Sequence, residues 1–517
     1  MSMENTQHPS VKTSPVTVKL LGFIALVHVL LHVLTNGNYG MFRDEFYYLA
    51  CADHLAWGYV DHPPLSIALL AGWKALFGDS VQAVRLLAAL AGGSVIFMTG
   101  ILARELGGGR YAQVLAAVCL LISPLYLDLT GPYSMNAFDS LFWIVAFYLI
   151  ARIINHNEER LWIILGVIIG LGLLNKISVL FLVFGLAVGL ILTKHRSAFR
   201  TKYLWFGAAI AAAIFTPHII WQIDKGWPTL EFMNNARLYK MLDISPSQFI
   251  SAQIVGNHPF SFPIWLIGLL FLLFHRKLKV YRIFGIIFIA VFALLVIQQG
   301  KSYYLEPAFP VVFAAGGFAI ESWLDRKYWR WAIPVMVAVL LFGGAVTAPM
   351  SIPLLPVEEF IAYQEKTGQS PSSSERHQMG LLPQHFADRF GWQELAAAVT
   401  STYQNLESEQ KSDCIIVASN YGEAGAITYY GRGHDLPQVY SGHNNYYYWG
   451  PGDTTAQTVI SVGFNPEDLA SIFTIVSPSA QVKSQYAMPY EADLIVYLCT
   501  DPQVSLSEIW EDIKHFE

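Results

Sequence analysis

Between residues 17 and 350 the chain is a succession of long uncharged apolar runs, and beyond 350 it returns to the mixed composition of a soluble domain. A hydrocarbon core about 30 Å thick takes roughly 20 helical residues. Runs of that length or slightly less lie near 17–35, 83–103, 111–127, 134–151, 161–175, 177–193, 203–221, 259–274, 281–298, 306–322 and 331–349. The pattern therefore predicts an α-helical polytopic membrane protein with about eleven transmembrane helices. The run at 161–175 is short, so it and its successor are expected as a tight hairpin. The first run is long and has no small-residue cleavage site, which reads as a retained helix rather than a removable signal.

Three divisions follow: an N-terminal tail over 1–16, a membrane domain over 17–350, and a C-terminal domain over 351–517. In the last, CIIVAS at 414–419, TVISVGF at 458–464 and DLIVYLC at 493–499 read as buried strands of a small α/β domain. Between them lie the aromatic, glycine-rich stretches NYGEAGAITYYG at 420–431 and SGHNNYYYWGPG at 441–452. Loops of this kind bind sugars or pack on a membrane domain, and they also serve as plain turns.

Charge adds sidedness. Every second connection is basic: Lys12 and Lys19, Arg104 and Arg110, Arg152 and Arg160, then Lys194, Arg196, Arg200 and Lys202, next Arg276, Lys277, Lys279 and Arg282, and last Arg326, Lys327 and Arg330. Positive loops stay cytoplasmic. With an odd number of spans the N-terminus lies inside and the 351–517 domain outside, in an integral plasma or inner membrane. The intervening outer segments carry only scattered cations.

Composition agrees, with 54% hydrophobic and 14% charged residues, far from the quarter charged of a soluble protein. A net charge of -6 argues against a nucleic-acid partner, which calls for a basic face. The cysteines, Cys51, Cys119, Cys414 and Cys499, form no CxxC pair. For Cys414 and Cys499 a disulfide and two free thiols both remain open.

Candidate chemistry gathers in the outer connections. The first holds Asp44, Glu45, His54, Asp61 and His62 within GMFRDEFYYLACADHLAWGYVDHPPL, and ionisable groups at membrane depth are functional by default. Apolar positions after Asp44 predict an amphipathic helix lying along the interface, whose first turn favours Asp44 and Glu45 through the macrodipole. Helix capping is the plain alternative for both. Asp128, Asp139, Asn175, Lys176, His218, Glu231, Arg237 and His258 fall on the same side, as do Lys301, Tyr303, Tyr304 and Glu306 of QQGKSYYLEP. Taken singly each reads as a loop charge or an interfacial anchor. Together they predict a polar cavity opening outward.

At RDEFYYLA, GYVDHPPL, Asp139 and GKSYYLEPAFP the sequence resembles the glycosyltransferase family 39 type of membrane enzyme, PMT-like relatives of protein O-mannosyltransferases and lipid A aminoarabinose transferases. The likeness runs in order over 17–350, and NYGEAGA and SGHNNYYYWGP look like segments of bacterial members with a small extracytoplasmic domain. The resemblance implies a GT-C fold, a polyprenyl-phosphate sugar donor, membrane lipid as surroundings and a lipid, glycan or protein acceptor. It implies Asp44 as the catalytic base, with Glu45 beside it. Substrate contacts would come from Arg43, Asp61, His62, Asp139, Lys176, Arg237, Lys301, Tyr303 and Tyr304. A divalent metal ion is the one cofactor it brings in, with Asp61 and His258 as candidate ligands. The sequence departs from the aminoarabinose transferases at His62, where they carry Lys.

The chemistry fits such a set. A sugar on polyprenyl phosphate leaves as a stable phosphodiester anion, so no general acid is needed, and one carboxylate suffices to deprotonate an acceptor hydroxyl. Direct displacement then inverts the anomeric centre, while fixed cations such as Lys301 and Arg43 stabilise the departing phosphate. A secondary transporter and a non-catalytic cell-envelope assembly protein are the competing readings. Against the transporter, charges inside the spans are few, and the two halves show no matching broken helices.

Overall fold

A computed structural model describes residues 15–324, 331–373, 375–452 and 454–517. The expected tail through residue 14, with Lys12, and the basic group Arg326, Lys327 and Arg330 lie outside the described residues. The chain forms two compact units. The first comprises residues up to 35, 85–217 and 243–352, and the second 36–84, 218–242 and 353–517.

All eleven apolar runs are helical, but they are not equal. Among the described residues seven helices are long and apolar enough to cross a membrane: Val18–Thr35, Val81–Glu105, Met135–His156, Lys202–Asp224, Arg276–Ile297, Ser302–Leu324 and Ala332–Met350. Counting two sharply bent pairs as single spans raises the number to nine: Val179–Leu192 with Lys194–Arg200, and Pro246–Gly256 with Pro259–Phe274. The other two of the eleven runs form shorter apolar helices. Pro124 starts a new helix after Arg110–Leu121, since its ring cannot continue the preceding one. The 161–175 run ends where Lys176 turns to extended backbone.

The core of the first unit is a continuous apolar cluster in which Trp143, Phe147, Phe284, Phe288 and Phe309 are buried. Small residues let its helices close up. A methyl on Gly268 would run into Val312 and Gly316, and one on Gly316 into Ile264. That locks Phe262–Phe274 against Phe309–Leu324.

The second unit contains a five-stranded sheet in the order β2-β1-β3-β5-β4. Its strands are β1 (Cys414–Ala418), β2 (Val439–Tyr440), β3 (Thr458–Val462), β4 (Phe473–Lys483) and β5 (Asp493–Pro502). β1 runs parallel to both β2 and β3, whereas β5 is antiparallel to β3 and to β4. β1 and β3 are buried on every residue, as strands covered on both faces must be. Cys414 pairs with Thr458 and Cys499 with Val459, so β3 separates the two cysteines by two strand spacings, about 10 Å. That exceeds disulfide reach, and all four cysteines are free and buried.

Two local expectations change. NYGEAGAITYYG is not a loop, because Tyr421–Tyr430 is a helix. Asn420 Oδ1 accepts from the amides of Gly422 at 2.9 Å and Glu423 at 3.0 Å, while Glu423 Oε2 accepts from the Asn420 amide at 3.3 Å. That reciprocal cap starts the helix. The helix after Asp44 exists as Arg43–Asp53, but it is buried nearly all round rather than laid along an interface.

Candidate functional site

The second unit builds its polar cluster on the start of helix Arg43–Asp53. The Phe42 amide donates to Glu45 Oε2 at 2.8 Å, and the Arg43 amide to the Asp388 carbonyl at 3.0 Å. Glu45 is thus a fully buried N-terminal cap. The helix lies against Tyr421–Tyr430 because that helix presents glycines: a methyl on Gly422 would stand 2.7 Å from Arg43 Cγ, and one on Gly425 2.7 Å from Phe46 Cβ.

This approach brings Tyr421 to Asp44, and its phenol donates to Asp44 Oδ1 at 2.8 Å. Asp44 is half-buried. Burial pushes its carboxyl above the usual range, Arg43, the Tyr421 hydrogen bond and Lys240 pull it back, and Asp61 raises it. The Arg43 guanidinium sits over the Tyr421 ring at 4.7 Å and donates to Tyr490 Oη at 3.2 Å. Tyr490 in turn donates to Asp388 Oδ1 at 3.4 Å. Burial pushes Asp388 up to about 6 against the pull of Arg43. Glu491, beside them, is held well above the carboxylate range by burial and by Glu423.

A second strand of contacts starts one turn along the helix. Tyr47 donates to Asp61 Oδ1 at 2.9 Å, and the Asn445 amide donates to Tyr47 Oη at 3.3 Å. Asn445 Oδ1 then accepts from the Val60 amide at 2.9 Å. His62 is fully buried. Its Nδ1 donates to the Pro63 carbonyl at 3.0 Å, while Nε2 lies 3.8 Å from Asp61 Oδ1 and has no hydrogen-bond partner among the described residues. The rings of Tyr47, Tyr48 and Tyr59 surround it. Arg237 is exposed.

Of the other sequence candidates, His54, His218 and Glu231 belong to the second unit and the following to the first. Asp139 is buried; its Oδ2 accepts from Ser178 Oγ at 2.8 Å and lies 3.7 Å from Lys176 Nζ. Lys176 also donates to Asn136 Oδ1 at 2.7 Å and faces the rings of Tyr303 at 5.2 Å and Tyr304 at 4.9 Å. Glu306 accepts from Ser140 Oγ at 2.5 Å. Lys301 precedes the short helix Ser302–Ala308. His258 caps its own turn, with Nδ1 accepting from the Phe260 amide at 3.1 Å. Asp61 thus falls in the second unit and His258 in the first. Among the described residues no group of three or more His, Cys, Asp and Glu side chains is disposed to hold a metal ion.

Comparison with known proteins shows what this architecture is similar to. Residues 61–221 match the family model described as dolichyl-phosphate-mannose-protein mannosyltransferase. The structure of ArnT from Cupriavidus metallidurans bound to undecaprenyl phosphate superposes with a TM-score of 0.59 at 13% identity, over 93% of this chain and 97% of that one. The chain shares the fold of that ArnT structure, and its segment 61–221 is similar to the mannosyltransferase family. The same ArnT in its apo state gives a TM-score of 0.58 at 16% identity, again over 93% and 97%. No curated protein matches the chain by sequence. The PMT-like segment itself takes in Asp61, His62, Asp139 and Lys176 but begins after Arg43 and Asp44.

Sequence reasoning passed over Tyr421, Asp388, Tyr490 and Glu491, and gave Lys240 no role. For Tyr421 a signal exists. Asn420 and Glu423 stand at capping-box spacing, which marks a helix start with Tyr421 in its first turn and Gly422 and Gly425 on one side. Asp388 and Glu491 stand in no motif.

Proposed function

We propose that this PMT-like chain transfers a sugar from a polyprenyl-phosphate donor to an acceptor hydroxyl on the extracytoplasmic side of the membrane, with inversion and with Asp44 as general base. The observation that carries the reading is the state of the Asp44 carboxylate. Oδ1 is engaged by Tyr421, Oδ2 has no hydrogen bond among the described residues, and burial makes the group a stronger base than a free aspartate. A half-buried carboxylate with one open oxygen suits the abstraction of a hydroxyl proton.

Other features support the assignment. Positive charge stands close by, from Arg43 beside the base and from Lys240, whose field reaches it; fixed cations of this kind offset the charge that grows on a departing phosphate. One carboxylate acting as base fits direct displacement. The ArnT structure of the same fold holds undecaprenyl phosphate, which favours a polyprenyl-phosphate donor here as well. The alternation of basic connections, read with eleven spans, supports an N-terminus in the cytoplasm and 351–517 outside.

The test is transfer of label by the purified full chain in mixed micelles. Radiolabelled polyprenyl-phosphate hexoses and pentoses serve as donors, and an envelope lipid extract supplies the acceptor. Asp44→Asn is expected to lower kcat by about a hundredfold or more, the range of a lost general base, while binding of undecaprenyl phosphate persists. A variant within threefold of the parent would sink Asp44 as the base.

A further inference from the structure

We propose that Tyr421 is a positioning residue for the base: the C-terminal segment supplies a phenol that holds one oxygen of Asp44 and thereby aims the other at the acceptor. The inference rests on the reading of Asp44 as the base and names the group that makes it effective.

Geometry carries it. Tyr421 Oη lies 2.8 Å from Asp44 Oδ1. The ring is buried and fixed on several sides: the Arg43 guanidinium at 4.7 Å, the Tyr47 ring at 4.8 Å and the His443 ring at 4.6 Å. Its backbone is equally constrained, because the residue opens a helix whose start is capped from both directions by Asn420 and Glu423. A tyrosine has only two side-chain torsions to hold, so this packing leaves the hydroxyl one place to go. Asp44 itself projects from the first turn of its helix with no other side-chain donor among the described residues. Free of Tyr421, its carboxylate would rotate about the terminal torsion, which is broad and two-fold. A misplaced base loses much of the advantage of proximity.

The same hydrogen bond has a second effect. It favours the charged form of Asp44, so the carboxylate stays ionised at a lower pH than burial alone would allow. The groups that face Asp44 electrostatically are Arg43 on its own helix, Lys240 at the end of the 236–240 turn, Asp61 on the following loop, Asp388 on the 384–388 segment and Tyr421. Removing the phenol proton donor leaves the others in place.

The experiment compares Tyr421→Phe with the parent and with Asp44→Asn in the transfer assay, each as the full chain. Phenylalanine keeps the ring against Arg43 and removes only the hydroxyl. The expected result is a kcat lower by about tenfold or more, an unchanged KM, and an acidic limb of the kcat profile displaced to higher pH. A parental kcat and profile, or a change confined to KM, overturns the inference. If that happens while Asp44→Asn is inactive, the base survives and only its positioning by Tyr421 is lost; an active Asp44→Asn defeats the base itself. Should Tyr421→Phe not purify as folded protein, Tyr421→His takes its place, since it retains a ring and a donor. Recovery to within about threefold of the parental kcat supports the inference, and a loss as deep as that of Asp44→Asn overturns it.

Discussion

Tyr47 and Asp61 are joined by a hydrogen bond of 2.9 Å that ties the buried face of helix Arg43–Asp53 to the loop carrying DHPPL. The same hydroxyl accepts from the Asn445 amide, so one side chain fastens two loops of the second unit to its helix. Tyr47→Phe removes both contacts and leaves an amide and a carboxylate short of a partner. A loss of roughly 1–3 kcal/mol per orphaned group is expected. The readout is a lowered apparent unfolding temperature in detergent, and in a double-mutant cycle with Asp61→Asn the two losses should fall short of additivity. Full additivity would mean that the bond contributes nothing.

Asp388 gives the second unit a pH dependence whose sign follows from burial. Its carboxyl is raised from 3.8 to about 6, so between those values the folded chain holds the proton more tightly than the unfolded one. Stability from this group is therefore complete below about pH 4 and is lost as pH rises to about 6. Asp388→Asn is neutral throughout. Its apparent unfolding temperature should change less between pH 4 and 6 than that of the parent, measured by tryptophan fluorescence in one detergent. Parallel curves would exclude Asp388 as a source of the slope.

Legibility in the sequence was uneven, for physical reasons. Apolar runs are a bulk property, so all eleven of them proved helical, whereas Leu65–Phe77 and Pro246–Gly256 went unplaced. Helix lengths were harder, since a single proline at 124 or the turn at Lys176 shortens a helix without making it polar. β1, β3 and β5 announced themselves as apolar runs, whereas β4 did not: Phe473–Lys483 is largely exposed and carries a bulge at Pro478 to Ala480. Asp44, Arg43, Asp61 and His62 stood out as charged residues in an apolar chain. Tyr421 did not, because a tyrosine among many tyrosines has no compositional contrast, and its partner lies 377 positions away. Spacing from Asn420 to Glu423 was the available clue.

Close approach of the two helices is itself testable. A methyl on Gly425 would meet the Cβ of Phe46 at 2.7 Å and its backbone carbon at 3.1 Å, and backbone does not yield as a flexible side chain does. Gly425→Ala is expected to cost about 1–3 kcal/mol and to reduce transfer activity by moving Asp44 away from Tyr421. Gly433→Ala serves as the control, because a methyl there meets nothing within 4 Å and carries only the strain of its positive φ. A Gly425 variant with the parental transfer rate would show that the spacing of the helices does not govern the site.

In the first unit Lys176 and Asp139 form a pair whose worth depends on burial. Asp139 Oδ1 is buried and without a hydrogen-bond partner among the described residues, so the carboxylate relies on Ser178 and on the ammonium 3.7 Å away. Lys176→Met removes the positive charge and leaves a buried anion, a change that typically costs about 3–5 kcal/mol. Adding Asp139→Asn to that variant removes the anion as well, so the double variant should regain much of the loss. Apparent unfolding temperatures of the four proteins of the cycle decide it. If Lys176→Met alone is as stable as the parent, the ion pair contributes no stability. In that event the charge of Lys176 and its place against Tyr303 and Tyr304 need a reason other than folding.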